Sequence, residues 1–214
     1  MEIQRIVCNA LQENCYIVSD ESGECVIIDC GAYYADETEA ISRYIEEKGL
    51  HPVRLLETHG HLDHNFGNKY IYNKYGLKAE VMTDDLFLAE SLPQQATEMF
   101  GMTIDSDQPP VGEPLTDGQK IAFGTHSLKV VHTPGHSPGS AVFWCEQEQV
   151  AFTGDTLFRM SIGRTDLQGG SWMLMEQSLK RIATALPDQT RILPGHGPES
   201  TMADERKYNQ YMQY

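Results

Sequence analysis

Thr58-His59-Gly60-His61-Leu62-Asp63-His64 places four metal-competent side chains within six residues. In an extended or tightly turned segment His59 and His61 share a face, because side chains two apart point the same way. Asp63 and His64 follow in the next turn and can point elsewhere. The spacing therefore suggests two neighbouring metal ions with different ligand sets. Imidazole with carboxylate suits Zn(II), Fe(II) or Mn(II). A polar loop with chance histidines is the competing reading. Against it, three of the chain's eight histidines fall in this one stretch, and clustered His and Asp mark metal or catalytic sites.

Upstream, residues 53–57 (VRLLE) read as the strand that delivers the chain into this stretch, and 65–75 as a helix leaving it. Earlier strands are expected at 2–7, 14–18 and 25–29, short and β-branched, with a hairpin turn at 21–24. Asp36 and Glu39 have capping-box spacing. Ile41, Tyr44 and Ile45 make a helical stripe behind them, and Gly49 is a C-terminal stop. Downstream, 84–92 and 94–100 read as helices separated by Pro93, and 104–114 as loop. Phe87, Met99, Phe100 and Met102 are either core or the cover of a cleft. Strands follow at 119–123, 126–132, 140–145 and 149–153. Then come a helix over 171–185, a strand over 190–193 and a polar helix from about 202. The order suggests two similar halves.

Three more motifs resemble the first in placement. His136 follows the strand ending at 132, Asp155 the strand ending at 153, and His196 the strand ending at 193. Each has glycine beside it, which lets the backbone turn or approach closely. In layered α/β proteins sites are built just beyond strand ends, so four such motifs can converge on one sheet edge. His51, before Pro52, reads as a surface residue. His126 and His132 read as structural.

The whole chain bounds the answer further. Its 214 residues fit one domain, 1–214, with a core that needs no staples. No apolar run approaches the ~18 residues of a membrane span, and the start lacks a secretory pattern. Five cysteines without a Cys-x-x-Cys pair read as a reduced, cytoplasmic protein. Cys15, Cys25, Cys30 and Cys145 sit in or beside apolar runs as small core residues. A formal net charge of -15 disfavours nucleic acid, which needs a basic footprint.

Taken in order, THGHLDH (58–64), HTPGHSPGS (132–140), FTGDTLF (152–158), IGRTDLQGGS (162–171) and PGHGPEST (194–201) resemble the metallo-β-lactamase superfamily. Within it they resemble the short, single-domain glyoxalase II-like hydrolases. The resemblance implies an α/β (α+β) fold. This is an αββα four-layer sandwich: two mixed β-sheets face to face, helices on both outer faces, metals at one edge. It implies two divalent ions, zinc first, with iron or manganese as alternatives. His59, His61 and His136 would hold one, Asp63, His64 and His196 the other, and Asp155 would bridge them.

Two metals ~3.5–4 Å apart lower the pKa of a shared water toward ~7 and make hydroxide available. A thioester then leaves as a thiolate, whose pKa near ~8.5 asks for little protonation. Asp155 would set the bridge, and Asp63 could take the proton. Two divalent ions, two Asp and one hydroxide sum to about +1, so an anionic small-molecule thioester can be drawn into an acidic protein. Arg164 either braces its loop against Asp166 or forks onto a substrate carboxylate; glyoxalase II enzymes carry a basic residue at the matching place. A mononuclear-iron persulfide dioxygenase, whose motifs are similar, and another superfamily hydrolase such as a lactonase are the alternatives. Only 18 residues follow His196 (214 minus 196), room for about five helical turns, so the helical glutathione-contacting domain of larger glyoxalase II enzymes is not expected. Arg206 and Lys207 in that segment read as solvent-facing charges.

Overall fold

The computed structural model describes residues 1–213. The first half runs β1 (Glu2–Cys8), β2 (Glu13–Ser19), β3 (Glu24–Ile28), α1 (Ala35–Glu47), β4 (His51–Leu56), α2 (Leu62–Asn65), α3 (Asn68–Tyr75), β5 (Ala79–Glu80), α4 (Leu86–Ala89) and α5 (Leu92–Phe100). The second runs β6 (Lys120–Phe123), β7 (His126–His132), β8 (Ala141–Cys145), β9 (Val150–Gly154), α6 (Trp172–Ala185), β10 (Arg191–Pro194), β11 (Ser200–Thr201) and α7 (Met202–Tyr208). Each half builds one sheet. The first has order β1-β2-β3-β4-β5 and the second β11-β10-β9-β8-β7-β6. Both are mixed: β3, β4 and β5 pair in parallel, as do β9 and β10, and the other neighbours are antiparallel.

The strand alternation explains the layers. Tyr16, Val18, Val26 and Ile28 of the first sheet face Phe143, Phe152, Val130 and Leu193 of the second across one buried cluster. Cys15, Ile17, Cys25 and Ile27 point the other way, under Ile41 and Ile45 of α1 and Ile71 of α3. Val142, Trp144, Ala151 and Ile192 do the same on the second sheet, under Met175, Leu179 and Ile182 of α6. Central strands are thus apolar on both faces, as a sheet covered on both sides requires. The four-layer αββα arrangement follows. All five cysteines are buried and unpaired. Among the described residues no helix is long and apolar enough to cross a membrane.

Local details depart from the sequence expectations for identifiable reasons. The α1 cap uses Glu37, not the Asp36/Glu39 spacing. Its carboxylate accepts from the backbone N–H groups of Tyr33 (2.8 Å), Tyr34 (3.0 Å) and Asn9 (2.6 Å), so it also pins the end of β1. The helix expected over 65–75 breaks at Gly67, whose N–H is diverted to the Cys30 carbonyl at 2.8 Å. Pro93 does not separate two helices. It lies in the first turn of α5, where its missing N–H costs nothing. Strands β5 and β11 are two residues each, too short to leave a pattern. Arg206 is not a free surface charge. Its guanidinium donates to the carbonyls of Ala183 and Leu186 and pairs with Asp188, satisfying the end of α6.

Candidate metal centre

The ends of β4, β7, β9 and β10 open onto the same edge of the sandwich. His59 and His61 follow β4, with Gly60 between them. A Cβ at Gly60 would lie 2.6 Å from the Leu88 Cβ, so α4 admits only glycine there. The single turn α2 then sets Asp63 and His64 on a different heading. Asn65 fixes the bend by donating to the carbonyls of His59 (3.1 Å) and His61 (2.7 Å). His136 follows β7, Asp155 closes β9, and His196 leaves β10 through Gly195. A Cβ on Gly195 would meet Asp155 Oδ1 at 2.5 Å and His64 Cε1 at 2.6 Å, so the cluster itself excludes a side chain at that point.

All seven side chains named as candidate ligands from the sequence come together. His59, His61 and His136 form one group whose ligand atoms lie within 4.8 Å of one another. Asp63, His64 and His196 form a second, and His59, His64 and Asp155 also group. Asp155 spans the two: Oδ1 is 3.3 Å from His64 Nε2, and Oδ2 is 3.5 Å from His136 Nε2 and 3.8 Å from His196 Nε2. Asp63 Oδ2 is 3.3 Å from His196 Nε2.

The donor atoms fit metal ions and fit little else. His61 Nδ1 and His136 Nε2 face each other at 2.9 Å, and His64 Nε2 and His196 Nε2 at 3.3 Å. The outward nitrogens are engaged: His136 Nδ1 donates to the Arg164 carbonyl (2.7 Å) and His196 Nδ1 to the Leu11 carbonyl (3.0 Å). Those bonds place the proton on Nδ1 and leave a lone pair on the inward Nε2. A cation seated among these inward nitrogens would be held by their lone pairs. His59 Nε2 and Asp155 Oδ1 are buried with no hydrogen-bond partner, a rare and costly state that coordination would relieve.

Protonation tells the same story. Burial works against a charge on His64, yet the carboxylates of Asp155, Asp63 and Asp29 outweigh it and raise its pKa well above the ordinary value. His196 is raised against its burial by Asp63 and Asp155. Burial, with neighbouring imidazoles behind it, lowers His59 well below the usual range and His61 to about 4. Burial disfavours the Asp155 anion, but His64, His136 and His196 hold it ionised. Asp63 is kept low in the same way, by His64 and His196. The cluster is a set of carboxylates in need of positive charge.

Several supporting residues carried no clear sequence signal. Asp29, at φ 53°, accepts from Thr58 N–H (2.7 Å) and Thr58 Oγ1 (2.8 Å) and lies 3.1 Å from His64 Nδ1. Its place between a strand and Cys30-Gly31 was the only hint. Buried Asp85 accepts from Gly60 N–H (2.9 Å), Ser137 Oγ (2.6 Å) and Gly139 N–H (2.5 Å), and so ties the His61 loop to the His136 loop. Burial raises its pKa in spite of those bonds. Gln95 on α5 donates to the Gly60 carbonyl and accepts from Leu62 N–H, both at 3.0 Å.

A cavity of about 370 Å³ opens over the cluster, lined by His61, Asp63, His136, Asp155 and His196 together with Leu11, Met99, Phe100, Phe158, Arg164 and Leu167. Arg164 reaches the cavity, but its guanidinium forks onto Asp166 at 2.7 and 2.8 Å. Met99 and Phe100 cover the cleft, whereas Met102 packs beside Leu92 and Ala96 and Phe87 faces solvent. His132 Nε2 is spent on the Pro138 carbonyl at 2.8 Å. His126 pairs with Asp20 and Glu148, and His51 opens β4 at the surface.

The chain is 35% identical over 214 residues to hydroxyacylglutathione hydrolase GloC of Haemophilus influenzae, covering 99% of this chain and 98% of that one. It is 30% identical to a probable metallo-hydrolase of Bacillus subtilis, over 99% and 98%. Among solved structures, the BLEG-1 B3 metallo-beta-lactamase superposes with TM-score 0.91 at 31% identity, with both chains fully covered. TTHA1623, in a di-iron-bound form, superposes with TM-score 0.85 at 36% identity, covering 97% and 99%. The family model described as the metallo-beta-lactamase superfamily matches residues 8–196, and the chain belongs to that superfamily.

Proposed function

We propose that the protein is a dinuclear metallohydrolase that cleaves thioesters of the S-lactoylglutathione type. The observation that carries this reading is the seven-donor cluster opening into a small cavity with one arginine at its wall, supported by the likeness to a hydroxyacylglutathione hydrolase. His59, His61 and His136 would hold one divalent ion, Asp63, His64 and His196 the other, with Asp155 between. Zinc suits this donor set, and iron or manganese would also be accepted. Bound there, such ions supply Lewis acidity and an activated water. The chain's own groups do the rest. Asp63, ionised and facing the cavity, takes up the proton that the attacking water releases. Phe100, Phe158 and Leu11 keep bulk water from the reacting end. The carbon–sulfur bond breaks as a carbon–oxygen bond forms, giving a carboxylic acid and a thiol. The thiolate leaves without a dedicated acid because thiol pKa values lie near ~8.5. A carboxylate on the thiol carrier would exchange with Asp166 for the Arg164 fork.

The test runs thioester cleavage and oxygen uptake side by side on metal-loaded protein, with S-lactoylglutathione and glutathione persulfide. Cleavage without oxygen uptake, abolished by a chelator, is expected. Oxygen uptake on the persulfide with no thioester cleavage would replace this reading with the dioxygenase one.

A further inference from the structure

The cavity over the metal centre has unequal walls. At about 370 Å³ it lies near the small end of the ~300–1,000 Å³ typical of ligand pockets, room for the reacting end of a substrate and too little to enclose an acyl group and a peptide carrier together. Five of its lining side chains are apolar: Leu11, Met99, Phe100, Phe158 and Leu167. Arg164 is the one Lys or Arg among the described lining residues, and Asp166 already occupies its fork. The apolar wall begins at a metal ligand. The Phe158 ring stands edge-on to His196 with centroids 6.1 Å apart, and Leu11 accepts from the same imidazole through its carbonyl. Leu11 and Met99 remain 49% and 44% exposed at the mouth. Phe100 is backed by Phe66 (6.0 Å), and Phe66 by Tyr33 (4.9 Å), so the far wall is braced. An aliphatic group entering here would displace water from apolar surface on both sides. A hydroxyl seated against these five side chains would find no polar group on them.

We infer that the acyl side of the substrate is a short, unbranched aliphatic chain seated among Leu11, Met99, Phe158 and Leu167, with the thiol carrier left outside. The inference rests on the thioester reading and changes its acyl group, from the hydroxylated lactoyl type to an unsubstituted chain. Phe158 and Met99 become the residues that set acyl specificity.

Two measurements test it together. The first compares kcat/KM for acetyl, butyryl and hexanoyl thioesters on glutathione. The second measures, by calorimetry on metal-loaded and metal-free protein, the affinity of straight-chain carboxylates from acetate to hexanoate. About a threefold gain per methylene, near the value for a mostly buried CH₂, is expected in both. Phe158→Ser and Met99→Ser should flatten both slopes. Thioesters cleaved at rates independent of acyl length, with flat carboxylate affinities, would overturn this inference and leave the hydrolase reading intact. Carboxylate affinities that climb while no thioester is cleaved would overturn the hydrolase reading and keep the apolar acyl pocket. Flat affinities without cleavage would overturn both. A slope that appears only when the thiol is lengthened with acetyl held fixed would assign the apolar wall to the carrier and overturn the acyl assignment.

Discussion

Asp29 Oδ2 lies 3.1 Å from His64 Nδ1, on the side of the ring opposite the Nε2 that faces Asp155. The contact is electrostatic, since His64 Nδ1 makes no aligned hydrogen bond, but the charge beside Nδ1 favours a proton there and leaves Nε2 for the cluster, the place of an outer partner to a ligating histidine. An amide in its place would present an N–H donor and favour the wrong tautomer. Asp29→Asn is therefore expected to weaken the second metal by about 10–100-fold while the His59/His61/His136 group keeps its ion. Metal stoichiometry against free metal concentration reads this directly, and equal weakening of both ions would refute it.

Asp155→Ala should abolish hydrolysis with most of the fold intact. Both Asp155 oxygens point at ligand nitrogens of different groups, so each ion loses a donor at once. The side chain stands just beyond β9 and outside the three main apolar clusters, so its removal opens no core. Turnover, bound metal and thermal unfolding should be followed on one sample. Near-normal turnover with two metals bound would sink the assignment.

The candidate ligand cluster was legible in the sequence because each member follows an apolar β run with glycine beside it, as His136 after LKVV and Asp155 after VAFTG do. Their supports were not. Asp85 gathers Gly60, Ser137 and Gly139 from segments that meet only through the two-sheet topology. The sequence around Thr83-Asp84-Asp85 looks like an ordinary helix start. Glu37 likewise outcompetes the Asp36/Glu39 spacing because its carboxylate can also reach Asn9 of the neighbouring strand end. Local pattern reads a strand end well. It cannot read which distant backbone N–H a buried carboxylate will meet.

Asp20 clamps the two sheets at the edge of the hairpin turns. It accepts from Ser22 N–H (2.6 Å), Thr125 N–H (2.9 Å) and His126 Nδ1 (2.7 Å), and His126 Nε2 reaches Glu148 at 2.9 Å. Partial burial works against a charge on His126, but these two carboxylates raise its pKa above 6.5. A histidine raised on folding contributes stability that is full below its unfolded pKa and fades as pH rises through the folded one. His126→Gln should thus lower Tm by about 2–4 °C at pH 5.5, on the scale of one lost interaction in a chain this size, and by less at pH 9. Asp20, held low chiefly by Ser22 and Thr125, stays ionised across that window. An equal loss at both pH values would show that His126 acts through packing alone.

Arg164 and Asp166 predict opposite effects on an anionic carrier. The two side chains are 63% and 69% exposed, and the guanidinium lowers Asp166 to about 2, so both partners stay charged at any working pH. A substrate carboxylate must displace Asp166 to reach the fork. Asp166→Asn frees Arg164 and should lower KM for a glutathione thioester by about two- to fivefold, the modest scale of solvated ion pairs. Arg164→Gln should raise KM by a similar factor. In both, kcat should hold, because the Arg164 carbonyl and not its side chain orients His136. A thioester of an uncharged thiol should be indifferent to either change, and ~0.5 M salt should erase the differences, since exposed charges are screened there. The same weak grip predicts that removing the carrier's carboxylates costs only severalfold in kcat/KM. A loss of about 1000-fold, roughly 4 kcal/mol at 1.36 kcal/mol per decade, would require a dedicated carrier site and would rule out a solvated Arg164 as the main hold on the carrier.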